Sequence, residues 1–211
     1  MRCKGRRTGL AAASKLVRFR PKRYASMPDD GARFSRFDPR TRASRARTVS
    51  APVIREIAAA DFDRIWPLFR SVIAGGDTYS YAPDTPFEEA RALWAEPPNR
   101  TFVAEVDGRV VGAYRLAPNR SGLGDHVANG GYMVAAEARG RGIASAMCEH
   151  SMDEARRAGF TAMQYNYVVA SNTTAVKLWQ RHGFAIVGTV PRAFRHATLG
   201  PTDIYVMHRF L

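Results

Sequence analysis

Apolar positions along the 211-residue chain change period several times after about residue 50, and each change predicts an element. Residues 53–57 read as a first strand. From Asp61 the apolar residues Phe62, Ile65, Trp66, Phe69 and Ile73 recur at helical spacing, with Asp61 near the N-terminus and Gly75-Gly76-Asp77 as the stop. A second short helix follows, with Thr85 as N-cap, Pro86 at the first helical position and Glu88 three residues after the cap. Leu93 and Trp94 anchor it, and Pro97-Pro98 ends it. Stretches 102–106 and 110–114 flank Asp107-Gly108, which predicts a hairpin. A glycine-rich loop over 121–125 leads to a strand over 129–135.

The next helix spans 141–158, with Ile143, Ala144, Met147, Cys148, Met152 and Ala155 on one face and Gly159 as its C-terminal cap. Asp153 and Arg157 form an expected i,i+4 pair on the other face. A strand over 161–169 precedes a helix over 172–182, whose stripe is Ala175, Leu178, Trp179 and His182, with Gly183 as the stop. Two strands, near 184–190 and 203–210, close the chain, and no internal repeat is visible. Strand, two helices, three strands, helix, strand, helix and two strands is a mixed α/β order, less regular than a doubly wound protein.

Composition divides the chain. Residues 1–50 carry 15 Lys+Arg against 3 Asp+Glu, whereas residues 51–211 carry 17 against 16, so the net charge of +13 resides almost wholly in the first quarter. That quarter lacks a sustained apolar period and reads as a disordered basic extension ahead of one domain over 51–211. Three readings of it stand side by side: an organellar leader, a basic arm for nucleic acid or anionic surfaces, or a tail upstream of a true start such as Met27. Residues 10–17 are too short and interrupted for a secretion signal. The near-neutral domain offers no basic stripe for nucleic acid, and no apolar run approaches the ~20 residues of a membrane span. Cys3 and Cys148 make neither a disulfide framework nor metal-ligand spacing, which fits a metal-free protein of the reducing cytoplasm.

The chemistry concentrates in Arg139-Gly140-Arg141-Gly142-Ile143-Ala144, where an apolar strand ends in a basic glycine-rich turn and a helix begins. Free backbone N–H groups, the helix dipole and two arginines suit a phosphate-bearing ligand. The spacing is neither that of a Walker loop nor that of a dinucleotide fingerprint. About thirty residues later, Asn172 opens the helix that runs to Trp179, His182 and Gly183-Phe184.

Together these segments resemble the acyl-CoA-binding core of the GCN5-related N-acetyltransferase (GNAT) superfamily, and the element order matches it from Val53 onward, roughly three quarters of the chain. The resemblance implies an α/β (α+β) fold with a central, mostly antiparallel mixed sheet splayed at the acyl-CoA site. It implies acetyl-CoA as cosubstrate, with Arg139, Gly140, Arg141, Gly142, Ile143 and Ala144 at the pyrophosphate. Met133 and Val134 offer backbone to the pantetheine arm, and Asn172 contacts that arm, serves as a helix N-cap, or both. The chain departs from the family pattern at Trp179, where many members carry a tyrosine that protonates the leaving thiolate. An indole does not serve as that acid, so Trp179 is assigned to packing, and a thiol of pKa about 8.5 leaves readily enough without it.

A narrower resemblance rests on His126-Val-Ala-Asn129-Gly-Gly-Tyr132-Met-Val134 and Gln164-Tyr-Asn166, similar to a subgroup that includes fungal acetyltransferases of proline analogues. It implies catalytic-centre roles for Asn129 and Asn166, positioning substrate and a water; Asn129 before two glycines also reads as a bulge former. Asp77 and Tyr79 lie in the loop that shapes the acceptor pocket in this superfamily, though Gly-Asp-Thr is also ordinary turn chemistry. Asp125, His126 and Glu137 are weaker candidates. The implied activity is acetyl transfer to the amine of an amino acid, an amino-acid analogue or a xenobiotic. The alternatives are acetylation of peptide or protein N-termini, or acyl-CoA binding without catalysis. Because family members are often dimers, the resemblance also implies a homodimer.

Overall fold

The computed structural model describes residues 51–57 and 61–211; the basic extension and both of its landmarks, Cys3 and Met27, lie outside them. The elements are β1 (Val53–Glu56), α1 (Phe62–Ala74), α2 (Phe87–Ala95), β2 (Arg100–Val106), β3 (Arg109–Pro118), β4 (Val127–Val134), α3 (Ile143–Arg157), β5 (Ala162–Val169), α4 (Thr173–Arg181), β6 (Ala185–His196) and β7 (Gly200–Phe210). They build one seven-stranded sheet of order β1-β2-β3-β4-β5-β7-β6. Every neighbouring pair is antiparallel except β4 and β5.

Alternation along the central strands decides which helix covers which face. Val103, Ala113 and Met133 pack with Phe62, Phe69 and Trp94 of α1 and α2. Their immediate neighbours Phe102, Tyr114 and Tyr132 point the other way, into the cluster formed with Met147 of α3 and Trp179 of α4. Register stacks these three aromatics across the sheet: Phe102 opposes Tyr114, and Tyr114 opposes Tyr132. Their ring centroids are 4.8 and 5.6 Å apart. The row continues to Tyr165 on β5, 5.7 Å from Tyr132.

Parallel pairing of β4 with β5 is confined to Val127–Ala162 and Ala128–Met163. Beyond that point the strands part, and the outer backbone edge of β4 has no ladder partner on the β5 side.

Several expectations shift by local physics. Thr85 does not cap α2: its hydroxyl donates to the Ala82 carbonyl at 2.6 Å, and the extended Pro86 occupies the cap position. Arg157 pairs with Glu154 rather than Asp153, which pairs instead with Arg156 at 2.8 Å, because each acid has an arginine three residues on along the same helix face. The last two strands are longer than predicted, and β6 continues past Pro191. An edge strand tolerates the missing proline N–H, and the Arg192 N–H bonds the Asp203 carboxylate at 2.8 Å where the ladder is interrupted. Asn129 and the glycines after it form no bulge, for β3 and β4 stay in register from Gly112–Val134 to Pro118–Ala128.

Arg100 ties β2 to β1 and α3, reaching Glu56 at 2.7 Å and Glu154 at 3.1 Å. Burial opposes ionisation of Glu154, but hydrogen bonds from Arg157 and Arg100 outweigh it and hold the carboxyl below its ordinary range. A depressed folded-state pKa contributes stability that is present above about pH 4.3, the unfolded value, and lost as pH falls through the folded one. Glu154→Gln should therefore lower Tm at pH 7, by a margin that shrinks as pH falls below about 4.3. A Tm difference that stays constant from pH 7 to 3 would refute this linkage.

Candidate active site

The turn between β4 and α3 places Gly140 at φ 73° and Gly142 at φ 79°, left-handed values at which a side chain would be strained. An added Cβ at either would meet no atom within 4 Å, so both face open space. The first i→i−4 bond of α3 runs from Ala146 N–H to the Gly142 carbonyl at 3.0 Å. The N–H groups of Ile143, Ala144 and Ser145 precede it and stand at the mouth of a cavity of about 650 Å³. Met133, Val134, Arg139, Gly140, Gly142, Ile143, Ala144 and Asn172 all line this cavity. Arg141, expected among them, does not line it and is exposed. Arg181 of α4 adds a second cation to the wall, and Ser171 adds a buried hydroxyl with no partner. A long ligand with phosphates at one end and amides along its length fits this donor set: N–H groups and guanidinium groups for the anion, an unpaired hydroxyl and an open strand edge for the amides.

A second cavity, about 260 Å³, opens in the gap between β4 and β5. Thr78, Tyr132, Asn172, Ala175 and Trp179 belong to the walls of both, so the two spaces meet there. Asn172 works as a helix cap, its Oδ1 accepting from the Ala175 N–H at 3.1 Å, and stands at the junction at the same time.

Asn129 and Asn166 line the smaller cavity from opposite strands. Asn129 donates through Nδ2 to the Gln164 carbonyl at 2.9 Å, one residue past the last paired position, and so bridges the strands where the ladder stops. Asn166 accepts from Gln164 Nε2 at 2.7 Å and donates to Asn119 Oδ1 at 2.6 Å. These bonds fix its amide plane and leave one proton and one lone pair for a ligand.

The loop candidates separate. Asp77 lines the larger cavity, with Oδ1 accepting from the Thr78 hydroxyl at 2.8 Å, whereas Tyr79 lines the smaller one. Tyr79 donates its hydroxyl to the Tyr132 carbonyl at 2.9 Å, closing part of the exposed β4 edge. Burial holds the Tyr79 phenol well above the ordinary tyrosine range. Asp125, His126 and Glu137 line neither cavity.

Three further residues matter that the linear chain did not single out. Tyr132 and Tyr165 form the floor of the smaller cavity, with hydroxyls 2.9 Å apart. Ser151 donates to the Cys148 carbonyl at 2.7 Å, so Tyr132 donates to Ser151 Oγ, also at 2.7 Å. Burial raises both phenols far above their usual range and pushes the neighbouring Cys148 thiol up to about 12, so all three stay neutral. Trp179 lies against both rings, at centroid distances of 4.7 and 4.9 Å, and packs the wall between the cavities. Arg115 of β3 is the third. A charged residue within the otherwise apolar run Ala113-Tyr114-Arg115-Leu116-Ala117 was the signal that could have found it.

The neighbouring glycines make room for these side chains. A Cβ on Gly130 would come within 3.2 Å of the Tyr132 hydroxyl, and one on Gly131 within 3.1 Å of the Tyr79 hydroxyl and 3.5 Å of Arg115 Nε. Among the described residues no helix is long and apolar enough to cross a membrane, and no group of three or more His, Cys, Asp or Glu could hold a metal ion.

Comparison with known proteins agrees with this geometry. The chain is similar to a GCN5-related N-acetyltransferase from Kribbella flavida, with 48% identity and a TM-score of 0.73 over 76% of this chain and 98% of that one. A phosphinothricin acetyltransferase from Sinorhizobium meliloti, solved in complex with acetyl-CoA, shares the fold at 22% identity and a TM-score of 0.67, covering 77% of this chain and 89% of its own. The N-acetyltransferase aca1 of Schizosaccharomyces pombe is 33% identical over 106 residues, which are 49% of this chain and 51% of that protein. The chain thus spans about half the length of that curated relative. The family model of the acetyltransferase (GNAT) family matches residues 62–184, more than half of the chain, from the first helix to the residue after the α4 stop. With the splayed sheet and the glycine-rich turn at the head of α3, this match establishes that the chain belongs to the GNAT acetyltransferase family.

Proposed function

We propose that this protein is an acetyl-CoA-dependent N-acetyltransferase whose acceptor is the amine of a small molecule, an amino acid or an amino-acid analogue. The observation that carries the reading is the junction of two unlike cavities at Asn172, Trp179 and the exposed edge of β4. The larger suits a phosphorylated cosubstrate. The smaller, at about 260 Å³, lies below the ~300–1,000 Å³ of pockets for drug-sized ligands and suits a compact acceptor.

Acetyl-CoA supplies an activated acyl group on a thiol that is a good leaving group. The Gly140–Gly142 turn, Arg139 and Arg181 would hold its phosphates, and the Met133–Val134 edge and Ser171 its amide arm. The chain then brings an amine to the thioester carbon, where proximity and orientation do most of the work. Asn166, held rigid by Gln164 and Asn119, orients the amine or the water that removes its proton. Asn129 keeps the gap at constant width. The Tyr132 hydroxyl is engaged with Ser151 and with the Tyr165 hydroxyl, and Trp179 has no suitable proton. With a thiol pKa of about 8.5, CoA leaves as the thiolate and is protonated from solvent only after departure.

None of the described residues lining the smaller cavity is a carboxylate or histidine that could act as a strong base. The fraction of free amine then sets the rate, and kcat/KM should rise with pH toward the acceptor's own amine pKa. A plateau near pH 6.5 would reveal an enzymic base instead. The direct test follows thiol release from acetyl-CoA across a panel of amino acids, proline analogues, simple amines and short peptides. Turnover confined to peptides would replace this reading with peptide N-terminal acetylation. Tight acetyl-CoA binding without turnover on any acceptor would replace it with a binding protein.

A further inference from the structure

Arg115 has no use in the chemistry described so far, and its setting is unusual. It is the only charged side chain among the described residues lining the smaller cavity. Its Nη1 donates to Asn99 Oδ1 at 2.9 Å. Its Nε is buried and has no hydrogen-bond partner. No ion pair joins it to a carboxylate among the described residues, whereas Arg55, Arg64, Arg91, Arg100, Arg156 and Arg157 of the same sheet and helices each have one.

A guanidinium with a buried, unbonded N–H is costly unless an acceptor arrives. Gly131, the cross-strand partner of Arg115, keeps that N–H clear, since a Cβ there would stand 3.5 Å from Nε. Asn99 fixes the guanidinium from the far side, through an amide that neither competes for its charge nor neutralises it. The planar fork of arginine matches a carboxylate in two parallel bonds, and such charge-assisted pairs set orientation as well as affinity.

The charge pattern narrows the acceptor class. An amine reaches the site largely as an ammonium ion, and a cavity whose single charge is positive disfavours a simple alkylamine or a polyamine. A zwitterion presents the complementary group. We infer that Arg115 is the carboxylate-binding residue of the acceptor site, so that the protein selects α-amino acids and close analogues over amines that lack an acid group. The inference rests on the acetyltransferase reading and refines its substrate class. Arg115 positions the acceptor by its acid end while the Asn166 side of the gap receives the amine.

The experiment pairs each of alanine, methionine, proline and azetidine-2-carboxylate with its own primary carboxamide, which keeps the amine and removes the charge. In the native protein at least one acid should be acetylated about 10- to 100-fold more efficiently than its amide, the size expected for one charge-assisted pair. Arg115→Gln should abolish that preference mainly through KM, leaving acetyl-CoA affinity and kcat with the amide within about twofold. Arg115→Lys, which keeps the charge and loses the fork, should restore part of it. Equal efficiency for acid and amide in every pair, or an equal fall for both in Arg115→Gln, overturns the inference while leaving the acetyltransferase reading intact. Calorimetric titration with the same four amino acids in the presence of CoA separates the two readings if no acceptor turns over. Binding by the native protein and not by Arg115→Gln supports the carboxylate site, and no binding by either overturns it.

Discussion

Asn166→Ala should lower kcat by about 10²- to 10³-fold with every accepted amine, a loss typical of removing a group that positions a proton transfer. The affinity for acetyl-CoA should stay within about twofold, because Asn166 lines only the smaller cavity. The size of the effect follows from how the amide is held. Gln164 and Asn119 engage one acceptor site and one donor of the Asn166 side chain and leave the rest directed at the gap between β4 and β5. Truncation removes the positioning group and also leaves the Asn119 carbonyl oxygen and the Gln164 amide without their partner, so water enters in undefined orientations. Asn119→Ala is the graded comparison. It removes one of the two bonds holding Asn166 but not Asn166 itself, and should cost roughly a tenth as much in kcat. Single-turnover rates and Tm for both variants check this. An Asn166→Ala protein with native kcat would remove Asn166 from the reaction, whatever its effect on stability.

Gly142→Val should weaken acetyl-CoA binding by about 100-fold. The backbone at this position is left-handed, and a β-branched residue there costs about 1–3 kcal/mol of strain. That strain alone would lower Tm by about 3–10 °C in a domain of this size. Affinity suffers further, because relief of the strain rotates the N–H groups that open α3, and the new side chain projects into the cavity Gly142 lines. Gly108→Val isolates the second effect. Gly108 has a similar φ of 74° and likewise meets nothing within 4 Å, yet it sits in the β2–β3 turn and lines neither cavity. It should lose comparable stability with native affinity for acetyl-CoA. Equal affinity losses in the two variants would mean that the α3 turn is only a structural stop.

Much of the site was legible before the fold. The Arg139–Ala144 turn announced itself because glycine spacing and a helix start are local features, and the cavity does form there. Arg141, at the same turn, is exposed and lines neither cavity: charge at a turn is visible in the chain, but which side chains reach a wall is set by the folded backbone. Asn129 and Asn166 could be proposed only by resemblance and parity. Their actual partners, Gln164 across the gap and Asn119 at the end of β3, come from segments up to 47 residues away. Arg115 was passed over because one cation in an apolar strand is an ordinary occurrence. It becomes informative only because no other charged side chain among the described residues lines the same wall.

The linear chain by itself determined the elements, their order and the glycine-rich turn ahead of α3, because hydrophobic period, caps and turn residues act over a few neighbours. Only the tertiary structure decided where the sheet opens: β4 and β5 pair for two residues and then diverge. The row of Phe102, Tyr114, Tyr132 and Tyr165, assembled from four strands, packs beneath that opening together with Trp179. Such a gap is a property of register and packing between distant segments. No local preference encodes it, and the smaller cavity exists because of it.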